Sequence, residues 1–401
     1  MKIITRTVWV LSLVSLFTDV ASEMLYPIMP IYLKEIGFSI LLIGILEGVA
    51  EATAGLSKSY FGKLSDVSGR RLPFVRLGYL LSAISKPMMA VFTFPIWIFS
   101  ARTTDRLGKG LRTGARDAML SDEATPQTKG RVFGLHRAMD TLGAVIGPAS
   151  ALLFLYFYPG QYKTLFYIAF IPGMLAISFT FLIQERHNKE GKIKLTSASI
   201  FSFVHYWKVS PAPYKKLVIG LLAFTCINSS DVFLLLKVKE AGLDDTSVIG
   251  VYIFYNLVYA LAAYPLGRLS DKIGFKTMFV IGLFLFALVY TGMALSHQWY
   301  LFFILFFFYG LYAAATESVA KAWISNISNK KDTATAIGTY TGFQSVCTML
   351  ASAMAGWIWF SYGAEVTFLF SGIATLLIIL YVMLLIPKPT QHGSIRISDK
   401  F

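Results

Sequence analysis

The residues best suited to chemistry lie in two charged stretches, 102–117 and 131–148, of a chain that is 56% hydrophobic and 14% charged. Both stretches mix acidic and basic side chains at helical spacing. In lipid such groups are costly, so they face a protein interior or a watery cavity. There a cation can bind an anionic solute, and a carboxylate can take up and release a proton. The members we consider are Arg102, Asp105, Arg106, Lys109, Asp117, Arg137 and Asp140.

Further carboxylates stand in neighbouring apolar stretches. Asp19 and Glu23 are four residues apart and therefore share one helix face, and Glu51 lies in the next apolar run. We expect five carboxylates to be candidates for proton coupling: Asp19, Glu23, Asp105, Glu51 and Asp140. Candidates for binding the substrate or acting as counter-ions are Arg102, Arg106, Lys109, Arg137, Asn228, Asp231 and Glu317.

A static network of ion pairs between helices is the alternative for every one of these charges, because a buried ion needs a partner. Glu317 and Lys321, for example, stand in the order that favours a local salt bridge on a single helix. The residue types alone leave the functional and the structural interpretation open.

The elements that must position these side chains are apolar runs of about 20 residues, the length that crosses a bilayer core of about 30 Å. The mean hydropathy is +0.62. Twelve such runs predict an all-α integral membrane protein, and we number them as spans 1–12. They lie near 8–33, 40–61, 73–94, 96–118, 132–157, 163–184, 214–236, 247–268, 275–296, 299–324, 335–360 and 365–386.

The net charge of +14 is explained by topology and not by nucleic-acid binding. Lys and Arg are frequent at both termini and in every second gap between spans, and they are sparse in the other gaps. This positive-inside pattern predicts cytoplasmic termini and a multi-pass protein of the cytoplasmic (inner) membrane. The first run is long and lacks a small-residue cleavage site, so we interpret it as a retained span.

An internal repeat divides the chain into two halves. The sequence around Asp66 (GKLSDVSGRR) returns around Asp271 (GRLSDKIGFK), and in each case it follows the second span of its half. We therefore expect an N-terminal six-helix bundle at 1–184, a cytoplasmic linker at 185–213 with a helix in the membrane interface, and a C-terminal six-helix bundle at 214–401.

These motifs resemble the major facilitator superfamily. The first repeat is similar to its loop 2–3 signature at Gly62, Leu64, Asp66, Gly69, Arg70 and Arg71. Gly143, Gly147 and Pro148 are similar to the fifth-helix motif of proton-linked drug and metabolite antiporters, although they are equally suited to close helix packing. The resemblance implies twelve helices in two pseudo-symmetric bundles. It also implies a gating cluster of the loop 2–3 residues with Asp117, which we expect to pair with Arg70, and with Asp271.

The function expected from this resemblance is secondary active transport of a small organic solute by alternating access, as proton-coupled efflux. The first alternative is proton-coupled transport of an anionic metabolite or a siderophore or metal chelate. The second is a transporter-like sensor or membrane enzyme without flux, although the sequence contains neither a phosphate-binding loop nor a nucleophile–base pair. We expect no cofactor, no bound metal, no nucleic acid and no catalytic residue. The expected partners are a substrate, protons and the lipid bilayer, and the expected state is a monomer.

Overall fold

The computed structural model describes residues 4–26, 28–38, 40–184, 202–243, 245–296 and 298–386, and these are predominantly helical. The helices of the first half are Arg6–Glu23, Met29–Glu35, Ile40–Ser68, Leu72–Val91, Pro95–Asp122, Lys129–Phe157 and Tyr162–Thr180. The helices of the second half are Ala212–Thr225, Val232–Glu240, Asp245–Ile273, Phe275–Leu295, Trp299–Ile327 and Thr333–Leu385. A short helix, Ser202–Val209, precedes the second half, and a 3₁₀ turn, Lys330–Asp332, precedes span 11.

Spans 1 and 7 are each built from two helices, although each lies in one apolar run of the sequence. Span 1 is interrupted after Glu23, and span 7 is interrupted between Thr225 and Val232. In span 7 the interruption contains Ser230, whose side-chain oxygen accepts a hydrogen bond from the Val232 backbone N–H. Local bonds of this kind compete with the helix. The two interruptions occupy equivalent positions in the two halves, as in transporter folds that bind a solute near the bilayer midplane.

Spans 11 and 12 lie in one helical segment, Thr333–Leu385, that is divided at Gly363. The backbone φ of Gly363 is +87°, a value that L-residues with a side chain rarely adopt. Five helices of the described residues are long and apolar enough to cross a membrane, and the last of them contains both of these spans. The charged helix Pro95–Asp122 is not among the five.

The two halves meet through closely packed backbones. A methyl group built on Gly62 in span 2 would lie 2.7 Å from the Ala334 carbonyl oxygen of span 11. In the same way, a methyl group on Gly134 in span 5 would lie 2.6 Å from the Ala263 carbonyl oxygen of span 8. Small residues at these positions let the helices approach closely. Both contacts lie toward the end of the bundle that carries the repeated motif, which we call the motif end.

Gly143 and Gly147 of span 5 pack against span 1. A methyl group on Gly143 would lie 2.6 Å from the Leu16 carbonyl oxygen, and one on Gly147 would lie 2.7 Å from the Met24 backbone nitrogen. Pro148 follows directly within the same helix. This packing sets the backbone of span 5 directly beside the helix that carries Asp19.

The boundaries at residues 184 and 214 remain a prediction. Residues 185–201 of the expected linker lie outside the described part of the chain, whereas its final portion forms the helix Ser202–Val209. Trp207 of this helix makes an edge-on ring contact with Phe343 of span 11 at 5.9 Å. Tyr206 makes a similar contact with Tyr214 of span 7 at 5.3 Å. This helix therefore packs against the second half.

Candidate functional site

Most of the predicted charges converge on one cavity of about 270 Å³ inside the first half. Spans 1, 2, 3 and 4 all contribute to its wall, and we call it the basic cavity. Its cations are Lys86, Arg102, Arg106, Lys109 and Arg112. Its carboxylates are Asp19, Glu23, Glu51 and Asp105. Asp105 lies ten residues into span 4, which places it about 15 Å along the helix and well inside a bilayer core.

Asp105 is enclosed by donors. Its Oδ1 atom lies 2.6 Å from Lys86 Nζ, and it accepts hydrogen bonds from the hydroxyl groups of Ser82 at 2.9 Å and Ser85 at 3.3 Å. Arg102 stands 3.8 Å from its other oxygen. A carboxylate with this many donors favours the structural interpretation, in which Asp105 joins span 4 to span 3.

Lys86 is a member of the cavity that we did not single out from the sequence. It lies in the run near 73–94, and its buried ammonium group is the closest cation to Asp105 among the ion pairs of the described residues. A lysine inside an apolar run was the available signal, because such a residue needs a carboxylate partner or a watery cavity.

Arg112 is held by contacts with other side chains, whereas Lys109 is exposed to the basic cavity. Arg112 donates to Ser82 Oγ at 2.7 Å, and its guanidinium lies over the Tyr79 ring at 4.6 Å. The Lys109 side chain lines the basic cavity and is exposed to it. Arg106 lines the same wall one helical turn away. Lys109 and Arg106 are therefore well placed to bind an anion in the cavity.

A second charged group joins the basic cavity to the other half. The Asp19 carboxyl group, which lines the cavity, lies next to the Asp140 carboxyl group of span 5. Two carboxylates this close repel each other, and a proton on one of them would let it donate a hydrogen bond to the other. Asp140 also accepts from Arg137 at 2.9 Å, and Arg137 in turn contacts Glu317 of span 10 and Tyr259 of span 8. The chain of contacts thus runs from Asp19 through Asp140 and Arg137 to the second half.

Asp117 pairs with different residues from those we expected. It lies 2.9 Å from Arg116 and 2.8 Å from Lys321 of span 10, whereas Arg70 is exposed at the motif end. The predicted pairing of Asp117 with Arg70 was therefore wrong. The structure likewise pairs Glu317 and Lys321 with spans 5 and 4 of the first half, so the favourable local spacing did not identify their partners.

The repeated motif forms two equivalent contacts between the halves at the motif end. Asp66 Oδ2 accepts from both the backbone nitrogen and the hydroxyl group of Thr335, each at 2.7 Å. Asp271 accepts from the backbone nitrogens of Gly130 at 2.7 Å and Arg131 at 2.9 Å. Each carboxylate therefore lies at the N-terminus of a helix in the opposite half, where the unpaired N–H groups and the helix dipole favour an anion.

Arg71, the last basic residue of the first motif, contacts both halves of the molecule. Arg71 lies 3.3 Å from Asp66, contacts Asp122 at the end of span 4, and donates to the Lys330 carbonyl oxygen of the second half at 3.3 Å. The glycine turns that follow the two aspartates are alike, with φ of +65° at Gly69 and +92° at Gly274. We call the contacts of Asp66 and Asp271 with the opposite half the motif-end latch.

Removing one carboxylate of the motif-end latch should open that end of the molecule more often. Asp66→Ala and Asp271→Ala each remove two charge-assisted hydrogen bonds between the halves, which is enough to raise the open population about ten-fold. We expect a cysteine at position 341, in span 11 and buried in this structure, to react correspondingly faster with a membrane-impermeant maleimide. The measurement uses a Cys226→Ser, Cys347→Ser background.

Glu123→Ala is the control for the motif-end latch, because it removes a carboxylate from the same end of the molecule, one residue beyond span 4. Its labelling rate should match that of the parent. Unchanged labelling in both aspartate variants would contradict a role of the latch in gating.

The polar candidates of the second half lie apart from the basic cavity. Asn228 donates to the Tyr312 hydroxyl at 2.9 Å, and Asp231 accepts from the Tyr309 hydroxyl at 2.7 Å. Both belong to the interruption of span 7. Neither lines the basic cavity. Within the residues that the structure describes, no group of three or more His, Cys, Asp or Glu side chains is arranged to hold a metal ion.

Comparison with known protein families gives a match along nearly the whole chain, in agreement with the helical pattern and the repeated motif. The sequence pattern of the Major Facilitator Superfamily matches residues 11–255 and 238–399. The chain belongs to the Major Facilitator Superfamily. It is therefore a multi-pass membrane transporter of twelve helices in two bundles, and it is not an enzyme.

Three relatives illustrate the range of proteins to which this chain is similar. An uncharacterized MFS-type transporter of Methanocaldococcus jannaschii is 30% identical over 380 residues, which cover 93% of each chain. A multi-drug resistance efflux pump PmrA homolog of Lactococcus lactis is 21% identical and covers 87% of this chain and 88% of its own. The staphyloferrin B transporter of Staphylococcus aureus is 25% identical over 272 residues, or 64% of this chain and 63% of its own.

A solved structure agrees on the fold. The superfamily transporter FucP in its outward conformation superposes with a TM-score of 0.76 at 10% identity, covering 95% of this chain and 99% of its own. At this identity the likeness concerns the fold alone, and it leaves the substrate to be argued from the residues of the basic cavity.

Proposed function

We propose that this protein moves a small organic anion across the cytoplasmic membrane by alternating access and couples that movement to protons. The observation that carries the proposal is the basic cavity, where five cations face four carboxylates within about 270 Å³. Asp105 is engaged by Lys86, so the remaining cations outnumber the remaining carboxylates by one. One carboxylate group of a substrate would supply the missing negative charge, and a substrate with more than one could form charge-assisted hydrogen bonds with both Arg106 and Lys109.

We propose that proton coupling takes place between Asp19 and Asp140. While one proton is shared there, the two carboxyl groups hold span 1 against span 5, and Arg137 remains between Asp140 and Glu317. When the proton leaves, two negative charges face each other and attract Arg137 more strongly toward Asp140. The contact of Arg137 with Glu317, which joins the halves, then weakens. Proton release and the separation of spans 5 and 10 are thereby linked.

Export is the direction we propose. The similarity to a multi-drug resistance efflux pump homolog supports export. Efflux of a neutral or cationic drug is the competing substrate class. We place both termini and the motif end in the cytoplasm because of the distribution of Lys and Arg. In that orientation the latched motif end closes the cytoplasmic side.

Neutralising the cavity cations should weaken binding of the anion. Arg106→Gln and Lys109→Gln each remove a charged donor, and a hydrogen bond to a charged group is worth about 1.5–3 kcal/mol, or roughly ten-fold to a hundred-fold in affinity. We expect at least a ten-fold rise in the concentration of citrate or tricarballylate needed for half-maximal transport into liposomes. Retained affinity for both anions in both variants would contradict the proposal.

Lys163→Gln is the matched control for these charge changes. It also removes one lysine, but from the exposed start of span 6 and away from the basic cavity. Its transport should equal that of the unmodified protein. An equal loss of affinity in this variant would indicate a general effect of net charge and not a binding site.

A further inference from the structure

A second cavity, of about 400 Å³, lies between the halves, and we call it the inter-half pocket. Its first-half wall carries Glu51 and Lys58 of span 2. Its second-half wall comes from span 7 and span 11 and is made almost entirely of neutral polar side chains: Ser230, Gln344, Ser345, Thr348 and Ser352.

The inter-half pocket begins where spans 2 and 11 diverge. Toward the motif end the two helices are in close backbone contact, since a methyl group on Gly338 would lie 2.7 Å from the Lys58 carbonyl oxygen. One further turn along, a methyl group on Gly55 would lie 3.1 Å from Ser345 Cβ. Beyond that point the inter-half pocket lies between the two helices. Lys58 Nζ donates to Ser345 Oγ at 3.3 Å at the base of this fork.

Glu51 connects the inter-half pocket to the basic cavity, because its side chain lines both of them. Its surroundings are basic on either side, with Lys58 in the inter-half pocket and Lys109 and Arg106 in the basic cavity. Glu51 is therefore the place where a ligand anchored in the basic cavity would extend into the inter-half pocket.

We infer that the inter-half pocket is a second subsite that receives an uncharged, hydroxyl- or amide-bearing arm of the organic anion whose charged head occupies the basic cavity. Its wall carries one carboxylate and one ammonium group, Glu51 and Lys58, so it has no cluster of like charges that would select a second ionic group. Its hydroxyl and amide side chains can both donate and accept, which matches an alcohol or an amide. This inference rests on the proposed function and narrows its substrate class.

The two subsites also divide the ligand between the halves. The head contacts spans 1–4, whereas the arm contacts spans 7 and 11. An anion that lacks the arm would then bind the first half without contacting Gln344 or Thr348. Only a ligand that carries the arm would contact both halves at once, so only its binding would depend on how the halves are positioned.

The test compares two ligands that share a head and differ by one hydroxyl group: the mono-ethanolamide and the mono-propylamide of tricarballylate. Calorimetry on the purified full-length protein should give about five-fold tighter binding of the ethanolamide, which is the effect of one net hydrogen bond. The double variant Gln344→Leu, Thr348→Val removes two polar groups of the wall and should bind the two ligands equally.

Gln161→Leu, Thr164→Val is the matched control. This pair makes a hydrogen bond at the exposed start of span 6, outside both cavities, and its replacement should leave the preference for the ethanolamide intact. Equal binding of the two ligands to the unmodified protein would overturn the second subsite while leaving the anion proposal standing. So would a preference that survives in the Gln344, Thr348 variant. If neither amide binds and tricarballylate itself does not bind either, the proposed function is overturned, and the second subsite with it.

Discussion

Replacing Asp19 with Asn should abolish substrate-driven proton movement while leaving exchange of the anion across the membrane intact. An amide cannot release a proton at physiological pH, so the contact with Asp140 would remain permanently in its hydrogen-bonded form. Proton movement in liposomes should fall at least a hundred-fold, which is close to complete loss. Exchange of labelled for unlabelled tricarballylate needs no net proton transfer, and it should stay within about two-fold of the unmodified rate.

Two comparisons make the Asp19 result decisive. Glu35→Gln neutralises an exposed carboxylate at the end of the second helix of span 1 and should leave proton movement unchanged. Asp140→Asn changes the other member of the contact and should also abolish proton coupling. Normal proton movement with Asp19→Asn would remove the carboxyl pair from the mechanism.

Lys86→Met should destabilise the protein severely, by about 3–5 kcal/mol, because it leaves the Asp105 carboxylate buried without its ammonium partner. Two serine hydroxyls and Arg102, 3.8 Å from the other carboxylate oxygen, remain next to Asp105, but none of them replaces the ammonium contact at 2.6 Å. The expected result is a large fall in the midpoint of thermal unfolding of the detergent-solubilised protein. Poor yield of folded protein would accompany it.

The double variant Lys86→Met, Asp105→Leu tests whether the instability of the single variant comes from the unpaired Asp105 carboxylate. Replacing both members of a buried ion pair with apolar groups of similar volume is often neutral for stability. We therefore expect the double variant to recover most of the unfolding midpoint that the single variant loses. A single variant as stable as the unmodified protein would contradict the structural interpretation of the Lys86–Asp105 pair.

The sequence was sufficient to predict the fold because two strong regularities repeat along it. Apolar runs of membrane-spanning length fix the helices, and the recurrence of the Asp66 sequence at Asp271 fixes the two halves. In the structure each of these aspartates lies at a helix N-terminus of the opposite half. Similar sequence at equivalent positions thus produced similar contacts.

Partners of the buried charges could not be predicted in the same way, since they depend on how helices face each other. The spacing of four residues predicts a salt bridge between Lys321 and Glu317. In the structure, spans 10 and 4 approach closely and Lys321 forms its salt bridge with Asp117 instead. The position of Lys86 in the apolar run of span 3 indicates that it needs a carboxylate partner, but nothing in the sequence identifies Asp105 as that partner. The interruptions of spans 1 and 7 were missed because the apolar runs continue through them, and hydropathy does not report a local break in backbone hydrogen bonding.

Proton movement in liposomes containing the purified protein, measured against a panel of organic anions, metal chelates and cationic drugs, tests the central claim most directly. The account predicts proton flux with multivalent anions such as tricarballylate or citrate, flux that depends on Arg106 and Lys109 and disappears with Asp19→Asn. Flux driven only by neutral or cationic drugs would contradict the anion-binding role of the basic cavity. Transport of an anion with no proton movement in either direction would contradict proton coupling at Asp19 and Asp140.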